Sequence, residues 1–93
     1  MKPSRRRQIQ PSSGSERAFG KALRDIRELR DVSQEQLALN AGLDRTYMSL
    51  IERGLSSPTI RTLDRLAEAL DVRPSKIVKH MEELLPKWRR AAR

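Results

Sequence analysis

Apolar residues return every three or four positions in five separate runs of this chain, and nowhere do they alternate with polar ones at every second position. The first run is Phe19, Ala22, Leu23, Ile26 and Leu29, with Lys21, Arg24, Asp25 and Glu28 on the other face. Ser13 with Glu16 forms a capping box ahead of it, and Ser15 is an alternative start. Gly20 weakens this helix by about 1 kcal/mol relative to Ala; close approach of a neighbouring helix and a late helix start are both adequate reasons. A second run, Leu37, Ala38 and Ala41, opens on the capping box Ser33/Gln36 and closes at Gly42, where a left-handed cap needs a residue without Cβ. Asp44 caps a third helix running to about Arg53 and stopped by Gly54. Its inward residues are expected to be Tyr47 or Met48, with Leu50 or Ile51. After Ser56-Ser57-Pro58, Thr59 starts a fourth helix with Ile60, Leu63, Leu66, Ala67 and Leu70 on one side. Pro74 suits the first turn of a fifth, which carries Ile77, Val78, Met81, Leu84 and Leu85 before Pro86 ends or kinks it. The pattern predicts an all-α, compact five-helix fold without sheet or internal repeat.

Composition sets the limits of that fold. A chain of 93 residues suits one domain plus tails, and a core of this size needs tight helix packing or dimerisation to hold. Residues 1–14 carry Pro3, Pro11, Gly14 and three serines, with Ile9 the only large aliphatic apart from Met1, so this arm is expected to stay disordered. The predicted division is a basic arm at 1–14, a helical domain at 15–85 and a basic tail at 86–93. The net charge of +8 follows the same division. Lys2, Arg5, Arg6 and Arg7 precede every acid; Lys87, Arg89, Arg90 and Arg93 follow the last one; between them 12 bases balance 12 acids. Attraction to a polyanion is the favoured reading of such tails, and a solubilising role is the alternative.

The same composition excludes several chemistries. There is no cysteine, His80 is the only histidine, and no Gly-rich phosphate loop is present. No catalytic residue, metal site or cofactor is therefore expected, and the chain is not read as an enzyme. The opening MKPSRRR is not followed by the apolar stretch of a signal peptide, and no run is long enough to span a bilayer. The expected place is the cytoplasm, with no membrane partner.

The decisive stretch is Ser33–Gly54, two short amphipathic helices joined by a tight Gly turn. Such a unit offers the leading end of its second helix to a DNA major groove. Flanking residues extend the pattern: Leu23-Arg24-x-Ile26-Arg27 before it, Ser33-Gln34-Glu35-Gln36-Leu37-Ala38, Ala41-Gly42-Leu43 and Ile51-Glu52-Arg53-Gly54 within it, then Pro58, Leu63, Leu66, Ala67, Leu70 and Val72. Residues 19–85 thereby resemble the Cro/repressor-type (XRE-like, lambda-repressor-like) helix-turn-helix domain, several independent elements appearing in the right order. Arg45-Thr46-Tyr47 followed by Ile51-Glu52-Arg53-Gly54 is most similar to the controller proteins of restriction–modification systems.

The resemblance implies a double-stranded DNA partner and roles for particular side chains. Gln34, opening the second helix, would bond a phosphate beside the helix N-terminus, unless it merely tolerates a helix start. Arg45 suits bidentate contact to a guanine edge, with a phosphate clamp or a plain surface charge as alternatives. Thr46 and Ser49 share a face toward bases or phosphates, or are simply solvated. Tyr47 divides between the core margin and a phosphate, and Leu50 between the core and a thymine methyl. Arg53 and Arg61 are expected to approach the backbone from opposite sides of the groove, with Ser56, Ser57 and Thr59 near a phosphate. Arg5, Arg6 and Arg7 would follow a groove as a basic arm. Glu52, which would repel phosphate if it faced DNA, is paired by the family pattern with Arg27 on the first helix, a partly buried ion pair that sets the angle between helices. Asp25, Glu28 and Asp31 are read as a solvated face with Arg24 and Arg27 interleaved.

One such unit reads few base pairs, so the expected protein is a homodimer on a pseudo-palindromic operator. The fifth helix is the candidate interface through Ile77, Met81, Leu84 and Leu85, extended by Trp88, with core packing the alternative for Ile77 and Val78. The resulting function is a sequence-specific transcriptional regulator. The competing reading is the antitoxin of a toxin–antitoxin pair, with a toxin protein as partner and DNA autoregulation as its second activity.

Overall fold

The computed structural model describes residues 14–85, folded into five α-helices without a strand among them: α1 Gly14–Leu29, α2 Gln34–Ala41, α3 Arg45–Glu52, α4 Ile60–Leu70 and α5 Pro74–Leu84. Each boundary has a local cause. The Ser33 hydroxyl accepts from the Gln36 amide at 3.0 Å, the Asp44 carboxylate from Tyr47 at 3.2 Å and the Thr59 hydroxyl from Thr62 at 3.0 Å, each satisfying one amide that its helix leaves without a partner. α5 has no side-chain cap; Pro74 instead removes one of the amides that would need one. At the far end of α2, Gly42 takes φ 70°, and the Leu43 amide folds back to the Ala38 carbonyl at 2.8 Å. Asp31 and Asp71 end α1 and α4 in the same left-handed conformation, which aspartate tolerates better than most residues.

Phe19, Leu23, Ile26, Leu37, Met48, Ile51, Leu66, Leu70 and Ile77 meet in one core. α1 lies across both α5 and α3, while α2 packs on α3 and α4. Gly20 marks where α1 and α3 come closest: a Cβ there would stand 2.5 Å from the Glu52 carbonyl oxygen and closer still to that of Ile51. Of the two reasons open for Gly20, close approach is the one the fold displays.

The apolar pattern needs correction at its edges. Leu29 and Ile60, in phase with their helices, are 84% and 81% exposed. Within α3 the buried pair is Met48 and Ile51; Tyr47 and Leu50 are half-buried. Ile77 on α5 and Leu85 just beyond its end are buried within the chain itself, for Ile77 the core packing that stood as the alternative to an interface. α1 covers this helix more completely than its apolar residues alone suggest. Met81 is half-buried, and Val78 and Leu84 remain exposed. Trp88, Arg5, Arg6 and Arg7 lie outside the described residues, as does most of the expected arm and the whole C-terminal tail.

Candidate nucleic-acid interface

The first turns of α2 and α3 sit beside each other, tied by a continuous polar chain. Arg27 of α1 holds Glu52, the last residue of α3, through two bonds, Nε to Oε2 at 2.7 Å and Nη2 to Oε1 at 3.1 Å. Its third nitrogen donates to the Val32 carbonyl at 2.9 Å. This side-on, two-point geometry is the strong form of an arginine–carboxylate contact. Hydrogen bonding to Glu52 raises the Arg27 pKa still further, so the guanidinium stays charged in a nearly closed environment. Glu52 also accepts from Gln34 Nε2 at 3.0 Å, and Gln34 Oε1 in turn accepts from Arg45 Nε at 3.0 Å. Four side chains thus connect α1, α2 and both ends of α3.

That arrangement adds internal partners to two of the side chains expected at DNA. Both ends of the Gln34 amide are engaged inside the protein, bridging Glu52 and Arg45. Arg45 does not project freely from the leading end of α3. It leans toward α2, its Nη1 also 3.9 Å from Glu35, and its side chain is 57% exposed. The outer guanidinium edge therefore faces solvent from a fixed base. Thr46 is exposed, Ser49 half-buried, and Tyr47 is packed on the core margin. Arg53, Ser57 and Arg61 are exposed and Ser56 half-buried. The Thr59 hydroxyl already serves α4 as its cap, also donating to the Thr62 hydroxyl at 3.0 Å. The acidic face of α1 is also more divided than expected. Lys21 holds Asp25 at 2.8 Å and Arg24 holds Glu28 at 3.2 Å, but Arg27 leaves that face for Glu52, and Asp31 lies beyond the helix.

Two features go beyond the sequence pattern. His80 is not isolated: its Nε2 meets Asp25 at 2.9 Å and its Nδ1 meets Glu83 at 3.4 Å, joining α5 to α1. Arg17, Lys21 and Arg24 line a groove with Arg53; their spacing along one helix face is the available signal, obscured by the acids beside them. Among the described residues no group of His, Cys, Asp and Glu is placed to hold a metal ion, and no helix is long and apolar enough to cross a membrane.

The geometry of two short helices, the second exposed at its leading end, agrees with comparison to known proteins. A family model described as helix-turn-helix matches residues 23–77, more than half of the chain. The chain belongs to the helix-turn-helix family. Among its relatives is the control protein C.BamHI of Bacillus amyloliquefaciens, 38% identical over 61 residues that make up 64% of this chain and 75% of that one. The immunity repressor of Bacillus phage phi105 is 41% identical over 59 residues, 63% of this chain but only 41% of that protein. In structure, the restriction–modification controller protein C.AhdI of Aeromonas hydrophila superposes with a TM-score of 0.68 at 37% identity, covering 70% of this chain and 98% of that one. The wild-type controller C.Esp1396I gives 0.70 at 30% identity, covering 76% and 92%.

Proposed function

We propose that this protein is a sequence-specific DNA-binding transcriptional regulator that reads a pseudo-palindromic operator as a dimer. The observation that carries this reading is the mounting of α3. Met48 and Ile51 fix one side of the helix in the core, and Glu52 clamps its trailing end, while Arg45 and Thr46 stand exposed at its leading end. Eight residues make a rod of about 12 Å, comparable to the width of the major groove. Kinship with control proteins and a phage repressor supports the regulator reading from an independent direction.

For the dimer, the exposed apolar surface favours the α4–α5 side. Ile60 and Val78, with the partly buried Leu63 and Met81, edge a small groove of about 190 Å³. Two copies meeting there would bury the isoleucine that the monomer leaves bare. Selection of bound fragments from a random DNA pool tests the reading: a recurrent site with two inverted half-sites is expected. Replacing Arg45 and Thr46 together by alanine should then relax the preference at the base pairs they meet by about 1–3 kcal/mol for each base edge left unread. A folded variant with unchanged preference would refute the assignment.

A further inference from the structure

Alongside the trailing end of α3 runs an open groove of about 590 Å³, bordered by Gly14, Arg17, Lys21, Arg24, Arg53 and Leu84. Glu52, the one acid among the described residues that border it, is already held by Arg27 and Gln34. Lys21 and Arg24 have carboxylate partners on α1, whereas Arg17 and Arg53 have none among the described residues. The fold nevertheless brings these two arginines together. Gly54, next to Arg53, is so near α1 that a Cβ on it would lie 2.9 Å from both Cα and Cγ of Arg17. Two exposed guanidinium groups that border one groove without a carboxylate partner among the described residues present it with positive charge that an anion can neutralise. The distribution of charge along the chain sharpens the point. Gly14 follows directly on the segment holding Lys2, Arg5, Arg6 and Arg7, and Leu84 lies just ahead of that holding Lys87, Arg89, Arg90 and Arg93. The two strongly basic stretches thus flank, in sequence, residues that border the groove.

We propose that the Arg17–Arg53 groove is a second DNA contact, a seat for backbone phosphates at the trailing end of α3, separate from the base-reading tip at Arg45. This deepens the regulator reading and rests on it. A helix about as long as the groove is wide, with its tip on the base edges, brings its other end toward a flanking strand. Such a seat carries no sequence information; it adds affinity through released counterions and fixes the orientation of the domain on the duplex.

The test uses the full chain, with the selected operator and a random duplex of equal length, measured across a range of salt. In the Arg17→Gln/Arg53→Gln variant, the slope of log affinity against log salt should fall by about 0.9 for each phosphate no longer neutralised, or nearly 2 in all. At about 0.1 M salt that corresponds to roughly 5- to 8-fold weaker binding per arginine, equal for operator and random DNA, so that the preference between them survives. Arg17→Lys/Arg53→Lys keeps the charge and should keep the slope, and an unchanged thermal midpoint in both variants separates DNA contact from folding. If the glutamine variant is unstable, the comparison of wild type with the lysine variant and with the single Arg53→Gln change, at an exposed site, decides the matter. Operator binding with full preference and an unaltered slope in the glutamine variant would remove this seat while leaving the regulator reading intact. Wild-type protein that binds no duplex at low salt would remove both.

Discussion

Replacing Glu52 by alanine should be among the most damaging single changes in this protein. The Glu52 and Arg27 side chains are only 4% and 11% exposed, so the change strands a guanidinium that cannot shed its charge at any ordinary pH. The Val32 carbonyl at 2.9 Å is then its remaining bond among the described residues, and the Gln34 amide loses its acceptor as well. Removing one partner of a buried pair costs about 3–5 kcal/mol. Because Arg27 keeps a narrow edge in water, the lower end, about 3 kcal/mol, is the expected loss. Set against roughly 4–11 kcal/mol for a domain of the 72 described residues, that is a large share of the total. At about 4–8 °C per kcal/mol for this size, the thermal midpoint should fall by about 12–24 °C. Thermal unfolding followed by far-ultraviolet circular dichroism measures it, with urea titration as a check on cooperativity. The double variant Arg27→Met/Glu52→Leu should recover most of the loss, since matched apolar residues often replace a buried pair without penalty. A fall of less than about 4 °C in Glu52→Ala, or a double variant no better than the single, would refute the account of the pair.

Gly20→Ala should destabilise by about 1–3 kcal/mol although alanine is the better helix former by about 1 kcal/mol, because the new methyl meets main-chain oxygens of Ile51 and Glu52 that cannot rotate away; a raised thermal midpoint would contradict the close approach. The contact between His80 and Asp25 should make stability depend on pH. Hydrogen bonding to Asp25 raises the His80 pKa above its usual 6.5, and Lys21 followed by His80 lowers that of Asp25 below 3.8. The histidine contribution is therefore complete below pH 6.5 and lost as pH rises through the raised value, while the aspartate contribution is complete above 3.8 and lost as pH falls through the lowered one. Between those limits the contact is strongest, worth about 0.2–1 kcal/mol, and His80→Gln should abolish the excess loss of thermal midpoint between about pH 6 and pH 9; an identical pH profile in the variant would count against it. For self-association, Ile60→Glu with Val78→Glu should yield a folded monomer by sedimentation, whereas Ile77→Ala should cost about 2–5 kcal/mol in thermal unfolding, as a core cavity does; an unchanged oligomeric state in the glutamate variant would move the interface elsewhere.

What is legible in the sequence is mostly local. Ser33, Asp44 and Thr59 each cap an amide three residues on, and Gly42 takes up a conformation that only its own neighbours demand. Such features are written within a few residues, and the caps name the starts of three of the five helices. Spacing also gives the phase of each helix, but phase does not say how far a neighbouring helix extends. Leu29 and Ile60 satisfy the pattern and stay bare at helix ends, while Ile77 and Leu85, in excess of what one small core should need, are covered. Periodicity leaves Tyr47 and Met48 equivalent for the same reason. Pairings between distant residues are hidden further still. Gln34 reaches Glu52 across 18 positions and His80 reaches Asp25 across 55, and neither pairing leaves a trace in periodicity or net charge.

The polar chain from Val32 through Arg27, Glu52 and Gln34 to Arg45 joins these two kinds of information. An ion pair that serves only stability has no need of its third and fourth members, and a well-packed apolar contact would do as well at that site. The extension to Gln34 and Arg45 accomplishes something packing cannot: it holds a long, mobile side chain at the exposed tip of α3 by a directional bond to a buried anchor. Under the proposed reading, an arginine already held would lose less conformational freedom when its outer edge met a base, so part of the ordering cost of recognition would be met during folding. The same logic accounts for Glu35, near Arg45 yet 80% exposed, whose weak, screened attraction steadies the guanidinium without competing strongly for it. In this molecule the core, the angle between α1 and α3, and the attitude of Arg45 at the leading end of α3 are therefore parts of one connected structure, with Glu52 at its centre.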